Sequence, residues 1–351
     1  MDVIVNSHNH WDKLEEVIVG VPYHLDYEID ITFKLFFYLN IKNRTVGNNY
    51  KPSNKVRDES LEDLDEFINI LKKENIIVKR PMEMTEVKIT KSPWWEAPLS
   101  HAMMSRDLFI IIGDQIIETS PMVRSRYFEG DLYKQLFTEY FNGGAKWTVA
   151  PKSRLLEKNF DYSYVKARGF LEDIPNDLEC EIMFDGAQIL RMGADLFFNC
   201  STQNHRMGMD WLSRHLGKSY NVHEINITDN HIDGKVLPLR PGTLLVSRLV
   251  DMDLLPKELR KWDIIWYDPV KISNEEEENL LLASANIGMN VLSLDTKKVV
   301  VQDKQLYLID SLKKNGFEPI PCKWRHGRIL GGGFHCMTLD IRRQSKLESY
   351  L

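Results

Sequence analysis

Cys336 ends the run Gly331-Gly332-Gly333-Phe334-His335-Cys336, and a thiol in that setting can serve as a nucleophile. Three glycines permit positive φ and close backbone approach, the geometry needed where a ligand or another strand comes near. The thiolate is the reactive form, and nearby cations lower its pKa; His335 and a bound cationic substrate are the expected sources of that help. A lone cysteine is more often a buried apolar thiol. Cys180, Cys200 and Cys322 fit that description, and the glycine run sets Cys336 apart.

His231-Ile232-Asp233 alternates two polar side chains across one apolar residue, so on an extended backbone both face the same way. The imidazole titrates near neutrality and can act as acid and then base. Asp185, in Phe184-Asp185-Gly186-Ala187, can orient His231 by accepting its other ring proton. Asp107 and Asp233 then supply two carboxylates near the nucleophile, an arrangement suited to a planar cation held in bidentate fashion. Guanidinium is the obvious candidate. For each aspartate alone, a structural cap or turn is an equally good explanation. Metal binding would need further His or Cys at ligand spacing, which the chain lacks.

These residues can meet only if distant stretches of chain are folded onto one axis. Five amphipathic helices are expected over about 58–74, 126–141, 208–216, 254–262 and 306–314. Asp58 or Ser60 is the expected cap of the first. A short apolar strand follows each, at 76–78, 147–149, 222–225, 264–266 and 317–320. Ahead of the last four helices lie β-hairpins, at 109–112/116–117, 189–192/196–198, 236–239/244–246 and 291–294/299–301, each split by turn residues. The first helix has one leading strand, 16–19, and the chain ends on an unpartnered strand, 334–341.

The pattern is an α/β fold of five ββαβ modules in a ring, a five-bladed pseudo-symmetric α/β propeller, with the last strand completing the first module. Radial repetition leaves only short, protected sheet edges. Asp107, Asp185, His231 with Asp233, Ser284 and Cys336 precede or enter corresponding strands of successive modules. Equivalent positions in such a ring share a radius and a height, so these side chains are expected to converge. No linker divides residues 1–351, which form a single domain. The acidic run 275–278 reads as a solvated loop; 33–54 reads as an insertion near the rim.

The bulk numbers agree with a small-molecule enzyme. Net charge is −6 in a chain that is 43% apolar and 27% charged, which argues against nucleic acid or an anionic membrane as partner. No apolar stretch approaches the about 18 residues of a membrane span. The N-terminus lacks a secretory signal, and four cysteines without Cys-x-x-Cys spacing make no disulfide framework. A cytoplasmic location is expected.

The segment from Asn9-His10-Trp11-Asp12 to Ile18-Val19-Gly20, together with Ser105-Arg106-Asp107, Ile116-Ile117-Glu118, Phe184-Asp185-Gly186-Ala187 and His231-Ile232-Asp233, resembles the amidinotransferase family. Ile287-Gly288-Met289-Asn290 and the run Gly331 to Cys336, followed by Thr338-Leu339-Asp340-Ile341-Arg342-Arg343, extend the likeness nearly end to end. The blocks at 236–242 and 287–290 look closer to its inosamine-phosphate branch than to its glycine branch. The resemblance implies the pentein fold, an amidino-cysteine intermediate on Cys336, His231 as general acid and base, and Asp185 as its partner. Asp107 and Asp233 would hold the donor guanidinium. L-arginine would be the usual donor, leaving as ornithine, with no metal or organic cofactor and a homodimer as the expected assembly.

One position departs from the family. An arginine 19 residues beyond the histidine usually clamps the donor's carboxylate, and here that residue is Val250. Of two assisting serines, Ser284 is kept and Ala283 replaces the other, while Arg248 is a candidate substitute clamp. Losing such a charge-assisted pair costs on the order of 2–5 kcal/mol of binding. Three activities stay open: amidino transfer to an amine, hydrolysis of a guanidine as in arginine deiminases, and an inactive guanidine-binding relative. Specificity is expected in loops such as 23–54 and 94–104.

Overall fold

A computed structural model of the chain describes residues 4–22, 27–28, 32, 49–50, 52–160, 179–229, 231–269 and 282–351. Most of 23–54 and the acidic run 275–278 therefore lie outside the described residues.

Module one holds β1 (Leu14–Val19), α1 (Asn54–Lys73) and β2 (Ile77–Lys79). Module two holds β3 (Phe109–Ile112), β4 (Gln115–Glu118), α2 (Lys134–Asn142) and β5 (Lys146–Val149). Module three holds β6 (Ile189–Met192), β7 (Asp195–Asn199), α3 (Gln203–Leu216) and β8 (Asn221–Ile225). Module four holds β9 (Val236–Arg240), β10 (Thr243–Ser247) and β11 (Asp263–Tyr267). Module five holds β12 (Leu292–Ser293), β13 (Lys298–Gln302), α4 (Leu306–Lys314) and β14 (Glu318–Cys322). The closing strand is β15 (Thr338–Arg343).

Each module is one three-stranded sheet: an antiparallel pair, then a parallel outer strand. In module one the inner strand is β15, which pairs with β1 from Leu14↔Arg343 to Val19↔Thr338. The ring closes because β15 touches β3, β6 touches β9, and α1 touches β14. A backbone bond from Leu14 N to the Leu294 carbonyl (2.8 Å) ties the first module to the fifth. The hairpin turns carry Gly113, Gly193 and Gly242 at φ of 60°, 71° and 77°, where a side chain would be strained.

The helices depart from expectation for local reasons. Ser53 caps α1, its Oγ accepting from Val56 N; Asp58 and Ser60 lie inside the helix. Helix α1 buries Leu64, Phe67 and Leu71 against its sheet, each stabilising by about 1.5–3 kcal/mol. The expected second helix begins with two 3-10 turns, Arg124–Arg126 and Glu129–Tyr133, and becomes α-helical only at Lys134. In module four, 254–262 forms no α-helix. It holds the short turns Met252–Leu254 and Leu259–Lys261 on either side of Pro256, which disfavours helix in the residue before it and lacks the N–H.

At the centre of the ring, Asp340 of β15 meets three buried guanidiniums. Arg106 reaches its Oδ1 at 2.6 Å; Arg191 and Arg343 reach its Oδ2 at 2.5 and 2.8 Å. Arg191 also donates to Ser7 Oγ and the Ile111 carbonyl, and Arg343 donates to the Ser293 carbonyl. The carboxylate thus joins module one to modules two and three, and Arg343 extends the tie to module five. Burial opposes its charge, but the three arginines hold its pKa well below the usual carboxylate range. Asp340→Asn is expected to lower unfolding stability by about 3–5 kcal/mol, because the buried cations lose their counter-charge. Denaturant titration of both proteins checks this; an unchanged midpoint would refute it.

Candidate active site

The polar residues singled out above sit where the repeat places them, at the entrance of an inner strand in each module. Asp107 lies in the helical turn Ser105–Leu108 that feeds β3, and Asp185 precedes the turn Gly186–Gln188 that feeds β6. His231 and Asp233 precede β9, and Ser284 caps the turn Ala285–Met289 before β12. Cys336 lies in the tight turn just ahead of β15, two residues short of the strand in which it was expected to sit.

The first group centres on His231. Its Nε2 is 3.0 Å from Asp185 Oδ2 and its Nδ1 is 3.6 Å from Asp107 Oδ1. The ring keeps 18% of its surface exposed, so it is reachable from solvent, while both aspartates are buried. Asp107 Oδ2 takes a 2.6 Å bond from Arg126, which also pairs with buried Glu129. Burial disfavours protonated His231, yet Asp107, Asp185 and Asp233 outweigh it and raise its pKa to about 9. The ring is therefore cationic at neutral pH.

The second group centres on Cys336. Its Sγ donates to Asp233 Oδ2 at 3.3 Å, and the same oxygen is 2.7 Å from His335 Nδ1. Asn290 Oδ1 accepts from the Cys336 backbone N–H at 2.9 Å, fixing the turn. A Cβ on Gly333 would stand 2.8 Å from Asn290 Cβ, so this contact requires a glycine. Burial, then Asp233 and Asp107, push the thiol well above its ordinary value. Asp233 stays ionised despite burial, its pKa lowered to about 2 by His335 and His231.

Two expectations need correction. His335 was to lend Cys336 positive charge, but burial and the nearby Arg106 lower its pKa to about 4, so the ring is neutral. Arg248 was a candidate clamp for the donor, but it faces outward, paired with Asp268 at 3.0 Å and lying over Trp266. Val250 is buried in the apolar core of module four with Leu255 and Leu259. Ser284 Oγ accepts from Asn286 N, beside the Ser247–Asn286 hydrogen bond. A recess beside the site is lined by Asp107, Arg126, Met103, Met104, Leu282 and Gly331. The loop 94–104 thus contributes part of its wall.

Arg126, Glu129, Asn290 and His10, whose Nδ1 is 3.1 Å from His335 Nε2, belong to the site without a sequence signal that marks them. Arg126 and Glu129 are three residues apart, a signal of side-chain pairing, but nothing local marks either as buried. Asn290 ends Ile287-Gly288-Met289-Asn290 and His10 lies in Asn9-His10-Trp11-Asp12, and neither forms a motif of its own.

Three-stranded α/β modules around a thiol, an imidazole and buried carboxylates define an enzyme of the α/β propeller, or pentein, fold. No family model matches the chain. It is 37% identical over 358 residues to the L-arginine:L-lysine amidinotransferase of Pseudomonas savastanoi pv. phaseolicola, spanning 99% of this chain and 96% of that one. Among solved structures it resembles SxtG, an amidinotransferase from Microseira wollei in the saxitoxin biosynthetic pathway (TM-score 0.84, 35% identity, 99% of both chains). It also resembles the inosamine-phosphate amidinotransferase StrB1 from Streptomyces griseus (TM-score 0.87, 31% identity, 99% of both chains). The chain belongs to the amidinotransferase family, and it is a transferase of amidino groups.

Proposed function

We propose that this amidinotransferase takes the amidino group of L-arginine, or a related guanidine, onto Cys336 and passes it to a primary amine. One observation carries the reading: two buried carboxylates flank the thiol and the imidazole, and Asp107 Oδ1 has no hydrogen-bond partner among the described residues. Such an oxygen is costly to bury and suits an incoming cationic N–H.

In the free enzyme, burial and the two carboxylates keep Cys336 a thiol. A guanidinium seated between Asp107 and Asp233 cancels their charge, so the thiol gives up its proton to solvent and the thiolate forms only where its target lies. Sγ attacks the guanidinium carbon. His231, held through Nε2 by Asp185, gives the proton on Nδ1 to the departing nitrogen, and ornithine leaves when arginine is the donor. The neutral ring then takes a proton from the acceptor amine, whose nitrogen attacks the amidino carbon and frees Cys336. A cytoplasmic location, a homodimer, and a place in natural-product or guanidino-compound biosynthesis belong to the same proposal.

The test is incubation with arginine and a panel of amines (glycine, lysine, an aminocyclitol phosphate), read by mass. Ornithine together with an amidinated amine is the expected result; citrulline alone would reject transfer. Agmatine, which lacks the carboxylate, is run beside arginine. With Val250 in the core, the preference for arginine is expected to fall short of the 2–5 kcal/mol, roughly, that a buried charge-assisted clamp supplies.

A further inference from the structure

Behind Asp233 runs a chain of hydrogen bonds that the reaction above does not use. The Arg191 backbone N is 2.9 Å from His10 Nε2, His10 Nδ1 is 3.1 Å from His335 Nε2, and His335 Nδ1 is 2.7 Å from Asp233 Oδ2. All three side chains are buried. We propose that His10 is a positioning residue: through His335 it sets a fixed N–H donor against Asp233 Oδ2, aiming that carboxylate at Cys336 and the guanidine.

The protons on the two rings can be counted. A neutral imidazole has one donor nitrogen and one acceptor. A backbone amide can only donate, so His10 Nε2 holds a lone pair and its proton is on Nδ1. That proton points at His335 Nε2, which must accept. His335 therefore carries its proton on Nδ1, facing the carboxylate. The opposite tautomer of His335 would set two N–H groups against each other across 3.1 Å and a lone pair against Asp233.

Both rings are neutral because of what surrounds them. His10 is buried beside Arg191, His335 and Arg106, and these lower its pKa further. Asp340, whose charge acts in the opposite direction, is already shared among Arg106, Arg191 and Arg343. His335 is likewise buried near Arg106. Asp233 Oδ2 thus receives two donors, His335 Nδ1–H and the thiol, which fix the carboxylate's rotation. The relay rests on reading Asp233 as a guanidinium anchor, but its tautomers can be measured without substrate.

Long-range nitrogen–proton NMR of the labelled wild-type enzyme reports each imidazole tautomer. His335 protonated only at Nδ1 and His10 only at Nδ1, through the neutral range, is the expected result. His335 protonated at Nε2, alone or with Nδ1, overturns the proposal. Two variants then test the consequence. His10→Leu removes donor and acceptor and is expected to lower kcat/KM for the guanidine on the order of 10²-fold, mainly through KM. His10→Gln keeps one of each and is expected to restore most of it. Equal losses in both variants, with an unchanged His335 spectrum, would reduce His10 to packing and sink the idea. If Asp233→Asn leaves KM unchanged while the tautomers are as expected, the anchor reading fails and the relay stands.

Discussion

Cys336→Ser is expected to lose amidino transfer by on the order of 10³-fold or more, because no other group among the described residues of the site can carry the proposed covalent step. Wild-type enzyme quenched with donor gains the mass of one amidino group on the peptide containing Cys336; the serine variant gains nothing. The protein itself should remain folded, since serine is smaller and can still donate to Asp233. The electrostatics add a second expectation. Burial, Asp233 and Asp107 all disfavour the resting thiolate, so the ultraviolet difference between wild type and Cys336→Ser shows no thiolate at neutral pH. A non-reactive guanidinium cation should bring that absorbance up. An absorbance already present in the free enzyme would contradict charge cancellation by the substrate.

His231→Gln lowers kcat by on the order of 10²–10⁴-fold, the usual size of a lost general acid and base. The pH profile carries the sharper test. Since in the proposed reaction the acid form serves the departing nitrogen, kcat/KM of the wild type is expected to decline as pH rises past about 9, the value at which free His231 loses its proton. Binding a second cation beside Asp107 and Asp233 makes that proton easier to lose. The alkaline limb of kcat is therefore expected at lower pH than that of kcat/KM. Stability has the same sign: with the folded pKa raised above 6.5, the contribution is full below 6.5 and fades as pH climbs through about 9. His231→Gln should flatten that decline. Superimposable stability profiles for the two proteins would show that the three aspartates do not hold the ring's proton.

The sheets were more legible than the helices, and the local chemistry explains why. Hairpins such as Phe109–Ile112 with Gln115–Glu118 announce themselves by apolar runs around a glycine turn, and those glycines adopt positive φ. Helix α4 matches its expected bounds because Leu308, Ile309 and Leu312 form an unbroken buried stripe before Asn315-Gly316. Residues 254–262 carry a similar stripe in Leu255 and Leu259, but Pro256 interrupts the hydrogen bonds that stripe would need. Convergence of Asp107, Asp185, His231, Asp233 and Cys336 could be read from their equivalent places in the repeat. The network that tunes them could not. Arg126 with Glu129, and His10 with His335, join residues through the folded interior, and such pairings leave no period in the chain.

The antiparallel pairing of β1 with β15 also constrains how the enzyme comes into being. Strand β1 is made first among the modules, yet its inner neighbour follows all the others in the chain. Partial chains can form hairpins and helices, but module one has no inner edge until β15 arrives, and the Asp340 clamp is absent until then. Pairings this distant in sequence form late because they require the largest loop closure. Cys336, the proposed nucleophile, lies in the turn that leads into the same strand. The proposed nucleophile and the tie between β1 and β15 thus reach the fold together, and in the proposed reaction the thiol has no shaped site before that pairing forms.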